Sequence, residues 1–274
     1  MPVAKIKDVS INYYTFGEGN SLILIAGLGV DSMCWFYQIP FFKNFFKVIV
    51  FDNRGIGKST GFKGRYSIKM MADDVAELLE HLKIQKSHVL GSSMGGMIAQ
   101  EFAITYPEIV DKLILCSTFA KPQFMVDNIT RGLRKLLKGK LENIFEINPR
   151  KIVYEKLFNY LLQQMFNEEF LRKNRKFVEE TWQKYLFAGN YTETFFKQIG
   201  AVHRHDTLNR LNLIKSETLV LTGTEDKLII PGCSNILAKK IPKSTLIKID
   251  NVGHGLHFEM PDIFNKIVIE FLSV

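Results

Sequence analysis

The feature that most narrows the fold is the hexapeptide Gly91-Ser92-Ser93-Met94-Gly95-Gly96. The short apolar run Val89-Leu90 precedes it, and Met97-Ile98-Ala99-Gln100-Glu101-Phe102-Ala103 follows. This reads as a strand, a sharp turn and a helix. Gly91 and Gly95 lack a Cβ, so strand and helix can close tightly around the turn. Gly-x-Ser-x-Gly in that setting lifts a serine hydroxyl out of a sheet on strained backbone angles, here Ser93. The Met94 N–H then points toward any oxyanion formed on Ser93, and the helix N-terminus adds partial positive charge. So short a pattern also fits a glycine-rich turn with an idle serine. The rest of the chain must therefore supply an acid, a base and a second oxyanion donor.

The flanking sequence sets the elbow in a larger pattern. Val3–Ile6 and Ile11–Phe16 alternate apolar and polar residues around Lys7-Asp8, which predicts an antiparallel pair of strands. Ser21–Ala26 and Lys47–Phe51 are continuous apolar runs, as expected of strands buried on both faces. Trp35–Phe46 reads as a helix broken at Pro40, and Met70–Leu82 has helical spacing at Met71, Val75, Leu78, Leu79 and Leu82. The elbow strand at about His88–Leu90, its helix ending near Tyr106-Pro107, and the strand Lys112–Cys116 follow. Such alternation predicts a mostly parallel sheet with helices on both faces. It stops at about Phe119. Leu133, Leu136, Leu137 and Leu141, then Ile152–Met165 and Phe170–Tyr185, predict a helical insertion. Alternation resumes with a strand at Glu217–Leu221, a helix at Ser234–Ile241, a strand at Thr245–Ile249 and a closing helix at Pro261–Leu272.

Composition bounds the class. At 274 residues and 46% hydrophobic content the chain can bury a sizeable core. No run approaches the ~18 apolar residues of a membrane span, and MPVAKIKDVS carries neither a long apolar stretch nor a small-residue cleavage site. Cys34, Cys116 and Cys233 are odd in number and far apart, which predicts neither a disulfide framework nor a zinc site. A cytoplasmic protein, with no membrane association and no metal, is expected. The net charge of +8 is concentrated between Lys121 and Lys215, where 18 Lys or Arg face 10 Asp or Glu. That segment lacks a nucleic-acid motif, so the expectation is a solvated helical surface or a face for an acidic partner. The tail of Asp52-Asn53-Arg54-Gly55-Ile56-Gly57-Lys58-Ser59 suggests a phosphate loop, but Asp52 stands where that loop needs glycine.

Sites in open parallel sheets lie at the carboxyl ends of the strands. After the first buried strand comes Gly27-Leu28-Gly29, which can bring the Leu28 N–H into a site as the second oxyanion donor. After Glu217–Leu221 comes Thr222-Gly223-Thr224-Glu225-Asp226, and after Thr245–Ile249 comes Asp250-Asn251-Val252-Gly253-His254-Gly255. Ser93, Asp226 and His254 thus stand in the order nucleophile, acid, base. A serine needs a base near pH 7, which His254 can be, and Asp226 would fix its tautomer and stabilise its cation. His257 is the competing base, and Asp250 and Glu225 are the competing acids. His203 and His205 are expected to order the exit of the insertion, His81 and His88 to be structural, and Arg54 to tie down its own loop through backbone bonds.

With these residues in hand the chain resembles the α/β-hydrolase fold family over nearly its whole length. It is most similar to 3-oxoadipate enol-lactonase-like and pimeloyl-carrier-protein methyl ester esterase-like serine hydrolases. The matching pieces are Gly27-Leu28-Gly29, DNRGIGKS, GSSMGG, TGTEDKLI and GHGLHFE, with His205-Asp206 after the insertion. The resemblance implies an eight-stranded, mostly parallel sheet flanked by helices. It also implies a core of residues 1–118 and 206–274 with a helical cap, 119–205, inserted after the sixth strand. It implies a serine hydrolase of a carboxylic ester, thioester or lactone: Ser93, Asp226 and His254 as the triad, Leu28 and Met94 as the oxyanion hole, and no cofactor. Gly27, Phe36, Trp182 and Phe187 are expected at the substrate. A small ester or lactone is the expected substrate. An esterase taking acyl groups from an acidic carrier protein docked on the basic cap, and a non-enzymatic ligand receptor, are the alternatives. The family usually carries His where this chain has Ala26, which affects the bonding of the oxyanion loop. Serine at the elbow separates the chain from the haloalkane dehalogenases and epoxide hydrolases, which place aspartate there.

Overall fold

The structure, a computed structural model, describes residues 2–61, 63–122, 160–186 and 192–273. Eight strands form one sheet in the order β1-β2-β4-β3-β5-β6-β7-β8. They are β1 (Val3–Ile6), β2 (Val9–Phe16), β3 (Ser21–Ile25), β4 (Lys47–Phe51), β5 (Ser87–Ser92), β6 (Val110–Cys116), β7 (Glu217–Gly223) and β8 (Ser244–Ile249). β1 and β2 pair antiparallel, as does β2 with β4, and every other pairing is parallel. The mostly parallel sheet of eight strands is the one expected.

The continuous apolar runs have the predicted cause, since both faces of the parallel strands are covered. Ile23, Ile25, Ile49, Phe51, Val89, Leu113 and Leu115 face one buried cluster. Their alternates Leu22, Leu24, Val48, Val50, Leu90 and Ile114 face the other. The first face carries α2 (Ile68–His81), α3 (Met94–Thr105) and α6 (Pro231–Lys240), and the second carries α1 (Gln38–Phe42) and α8 (Pro261–Leu272). A single-turn helix, α7 (Leu256–Glu259), precedes α8 and was not expected from the sequence.

Three local readings are corrected. The helix expected over Trp35–Phe46 is a 3₁₀ turn, Ser32–Trp35, followed by the short α1. The break lies before Gln38 and not at Pro40, because Pro40 falls in the first turn of α1, where a missing N–H forfeits no helical bond. α2 begins two residues early because the Ser67 side chain caps it, accepting from the Met70 N–H at 3.1 Å. Arg54 does not hold its loop through backbone bonds. Its guanidinium lies in a fork on Asp74 of α2, Nε to Oδ2 at 2.7 Å and Nη2 to Oδ1 at 2.5 Å. Asp52 ties the loop instead, accepting from the Ser32 N–H, the Ser32 hydroxyl, the Asn12 amide and the Lys58 N–H. A Cβ at Gly57 would collide with that carboxylate.

Between β6 and β7 the described residues include three α-helical stretches: 160–165, α4 (Glu168–Leu186, kinked at Asn174) and α5 (Thr192–His203). The leucines at 133, 136, 137 and 141, most of the run 152–165, and Phe187 lie outside the described residues. Leu162, Phe166, Leu171 and Val178 of this insertion pack with Phe258 in a separate apolar cluster.

The buried fork gives a test. Asp74→Asn leaves the buried Arg54 guanidinium with only the half-exposed Asp8 carboxylate, 3.6 Å from Nη1, at a cost of about 3 kcal/mol, the low end for a broken buried pair. Urea denaturation should show that loss with an unchanged slope.

Candidate active site

Ser93 sits between the end of β5 and the start of α3 at φ 57° and ψ −120°. A non-glycine residue there costs roughly 1–3 kcal/mol and persists only where its surroundings over-determine it. They do so here. The Ser93 N–H donates to Cys116 O at 2.9 Å, and the Ser93 carbonyl accepts from the Gly96 N–H at 3.0 Å and from Thr118 Oγ1 at 2.8 Å. The glycines are needed for the reason predicted. A Cβ on Gly91 would run into the backbone of Gly95, and one on Gly95 would run into the carbonyl oxygen of Ile25 in β3. Met94 is buried and opens α3, where the first N–H groups have no partner within the helix.

The Gly27–Gly29 loop lies against the elbow. A Cβ at Gly27 would stand 3.4 Å from Ser93 Cβ and 3.9 Å from its Oγ. Leu28 is half-buried against the main core cluster. Ala26 stands where the family usually has His, and two distant side chains hold the loop. Asn53 Nδ2 donates to Ala26 O at 3.1 Å, and Gln198 Oε1 of α5 accepts from the Gly29 N–H at 2.9 Å.

Asp226 and His254 come together. Both are buried, and His254 Nδ1 lies 2.8 Å from Asp226 Oδ2. A carboxylate only accepts, so Nδ1 carries the proton and neutral His254 keeps its lone pair on Nε2. The other carboxylate oxygen accepts from the Leu228 N–H at 3.0 Å and the Ile229 N–H at 2.7 Å. The loop after β7 is pressed on the histidine loop, for a Cβ at Gly223 would meet the carbonyls of Val252 and Gly253. Backbone bonds cross the sheet end from Ser93 to Cys116, from Ser117 to Leu221, and from Thr224 to Ile249. Ser93, Asp226 and His254 therefore share one edge of the sheet.

The competing residues are engaged elsewhere. His257 is half-buried with its ring 4.8 Å from that of Trp35, and desolvation of the ring pushes its pKa down to about 3, which makes it a poor base. Asp250 is exposed. Glu225 accepts from Asn167 Nδ2 at 2.6 Å. His205 is buried at the exit of the insertion, its Nε2 3.4 Å from Thr207 Oγ1, and burial lowers it to about 4. His203 is exposed. Phe36 lies in the aromatic cluster under the insertion, its ring 5.6 Å from Phe258 and 6.5 Å from Phe177. Trp182 belongs to α4, and Phe187 lies outside the described residues. No group of three His, Cys, Asp or Glu able to hold a metal occurs among the described residues, and none of their helices is long and apolar enough to cross a membrane.

The sequence reading missed a knot beneath His254. The Met165 carbonyl accepts from the His254 N–H at 2.6 Å and the Gly255 N–H at 3.1 Å. Glu259 accepts from the Gly253 N–H and the Asn167 N–H, both at 3.0 Å. The turn 165–167 thus clamps the loop that bears the histidine. A Cβ at Gly253 would press on Met165 O and Asn167 N, and one at Gly255 on the Phe166 ring. Burial pushes the Glu259 carboxyl up to about 7 from the usual 4.5. A raised carboxyl binds a proton on folding between those two values, so stability is greatest below the lower one and falls as pH rises through the upper. Glu259→Gln should flatten this fall. Urea midpoints at pH 5 and pH 8 should differ more in the parent protein than in the variant.

The comparisons with known proteins agree with this fold. The family model for the alpha/beta hydrolase fold matches residues 20–261. The chain is 28% identical to 3-oxoadipate enol-lactonase 2 of Acinetobacter baylyi, covering 98% of this chain and 97% of that one. It is 27% identical to the "Putative carbamate hydrolase RutD" of Azorhizobium caulinodans over 99% and 98% of the two chains. Among solved structures, the enol-lactonase of Burkholderia xenovorans superposes with a TM-score of 0.85 at 24% identity, over the full length of both chains. Est816, described as an N-acyl homoserine lactone degrading enzyme, superposes at 0.83 with 26% identity over 98% and 100%. With the family model spanning most of its length and the sheet, elbow and loops in place, the chain belongs to the alpha/beta hydrolase fold family.

Proposed function

We propose that the protein is a serine hydrolase that cleaves a carboxylic ester, thioester or lactone through an acyl-enzyme on Ser93. The observation that carries this reading is the 2.8 Å contact between His254 Nδ1 and Asp226 Oδ2 on the sheet edge that also bears the Ser93 elbow. Ser93 Oγ attacks the acyl carbon while its proton passes to His254 Nε2. Asp226 stabilises the imidazolium. The Met94 and Leu28 N–H groups donate to the oxyanion of the tetrahedral intermediate, each such donor contributing roughly 3–4 kcal/mol in comparable sites. The intermediate collapses, the bond to the leaving oxygen or sulfur breaks, and His254 protonates that atom. Water then attacks the acyl-enzyme, giving a proton to His254. The second intermediate releases the acid and restores the Ser93 hydroxyl as His254 returns the proton.

The named relatives support this substrate range. An enol-lactonase at 28% identity and an N-acyl homoserine lactone degrading enzyme at 26% both act, by their names, on lactones. The carbamate hydrolase name favours a second reading, in which the attacked acyl carbon carries nitrogen and the same proton transfers apply. Docking of an acidic carrier protein finds less support. Lys173, Arg175, Lys176 and Lys197 of α4 and α5 each face a glutamate four residues away, which favours a solvated helical face.

The test is hydrolysis of p-nitrophenyl esters from acetate to octanoate, together with small lactones, by parent protein and variants. Ser93→Ala and His254→Ala should each lose up to about 10⁶-fold in kcat, and Asp226→Asn about 10⁴-fold. Parent turnover that survives Ser93→Ala would overturn the reading.

A further inference from the structure

Gln198 lies on the face of α5 that also buries Ala201 and Val202, and it is 0% exposed. Its Oε1 accepts from the Gly29 N–H at 2.9 Å. A backbone N–H can only donate, so the oxygen must face Gly29 and the orientation of the amide is fixed. Nε2 is then left with two donor hydrogens. It has no acceptor among the described residues, and it is out of reach of solvent. A buried donor without a partner costs about 1–3 kcal/mol. Holding Gly29 does not require that cost, because a group that only accepts would hold it as well.

The position of this amide suggests what its free donor is for. Gly29 follows Leu28, the proposed oxyanion donor, and Gly27 faces Ser93. Gln198 therefore stands at the rim of the reaction centre, on an element outside the sheet. A donor closed off from water meets an acceptor only when a ligand enclosed between α5 and the loop supplies one. We propose that Gln198 is a specificity-determining residue: Oε1 holds the Gly27–Gly29 loop, and Nε2 donates to an oxygen on the acyl part of the bound substrate. The site then selects acyl groups that carry an oxygen beyond the scissile carbonyl over plain alkyl chains. This inference rests on the hydrolase reading above.

The experiment compares two esters of equal shape, p-nitrophenyl methoxyacetate and p-nitrophenyl butanoate, each rate divided by that ester's alkaline hydrolysis rate. The parent protein should prefer the methoxyacetate in kcat/KM by about tenfold, the worth of one net hydrogen bond. Gln198→Met fills the same space with neither group, so it should lose the preference and also lower kcat on both esters. A structural role alone would lower both esters equally and keep their ratio. Absence of a preference in the parent, or its survival in Gln198→Met, would overturn the proposal. Titration of methoxyacetate and butyrate into Ser93→Ala, followed by thermal shift, reads the same contact without turnover. A preference for methoxyacetate that disappears with Gln198→Met in that background would uphold the contact even if no ester were hydrolysed. Equal binding of the two acids would overturn it, while loss of ester turnover alone would count only against the hydrolase reading.

Discussion

The start of α3 lies so close to the end of β3 that no side chain could stand between them. A Cβ on Gly95 would enter the carbonyl of Ile25, and one on Gly91 would enter the backbone of Gly95. This close approach turns the chain sharply enough to hold Ser93 at a positive φ with its hydroxyl beyond the sheet. It also brings the Gly27–Gly29 loop alongside, since that loop leaves the same β3 strand. The sheet's remaining contribution is alignment. Parallel strands β5 to β8 end together, so their following loops meet at one edge, and backbone bonds between those loops keep the meeting rigid.

The insertion after β6 is fastened to this edge at two polar points. At one, the turn 165–167 grips the loop of His254 through the Met165 carbonyl and Glu259. At the other, Gln198 grips the loop that bears the proposed oxyanion donor. The His254 loop and the Gly27–Gly29 loop are thus both tied to the insertion, while the Asp226 carboxylate is held by N–H groups of its own loop. Movement of the insertion would displace His254 and Leu28, while Ser93 stayed held by Cys116 and Thr118. Between the two points, Phe36, Phe166, Phe170, Phe177 and Phe258 make an apolar contact across the same junction.

Much of this was legible in the sequence, and the reasons are physical. A strand covered on both faces must be apolar throughout, so Ser21–Ile25 and Lys47–Phe51 announce themselves. Ser93, Asp226 and His254 are legible because each sits in a short loop directly after such a run. Their partners are less so. Asn167 meets Glu259 across 92 residues, and Gln198 meets Gly29 across 169. No local pattern marks a polar residue in an amphipathic helix as buried. Arg54 was assigned to its own loop because Asp74, its actual partner, is one acidic residue among several on α2. Pro40 was read as a break because its place in the first turn depends on where α1 begins, which tertiary packing decides. The side chains of the insertion follow no period that marks a pocket, and Phe36, expected at the substrate, packs its ring on Phe258 and Phe177.

The central claim is that Ser93 is a nucleophile activated by His254. The most direct measurement is intact-protein mass spectrometry after treatment with an aryl fluorophosphonate, followed by peptide mapping. The account predicts a single adduct on the peptide bearing Ser93, absent in Ser93→Ala and strongly slowed in His254→Ala. An unlabelled parent protein, or an adduct on any other residue, would contradict it.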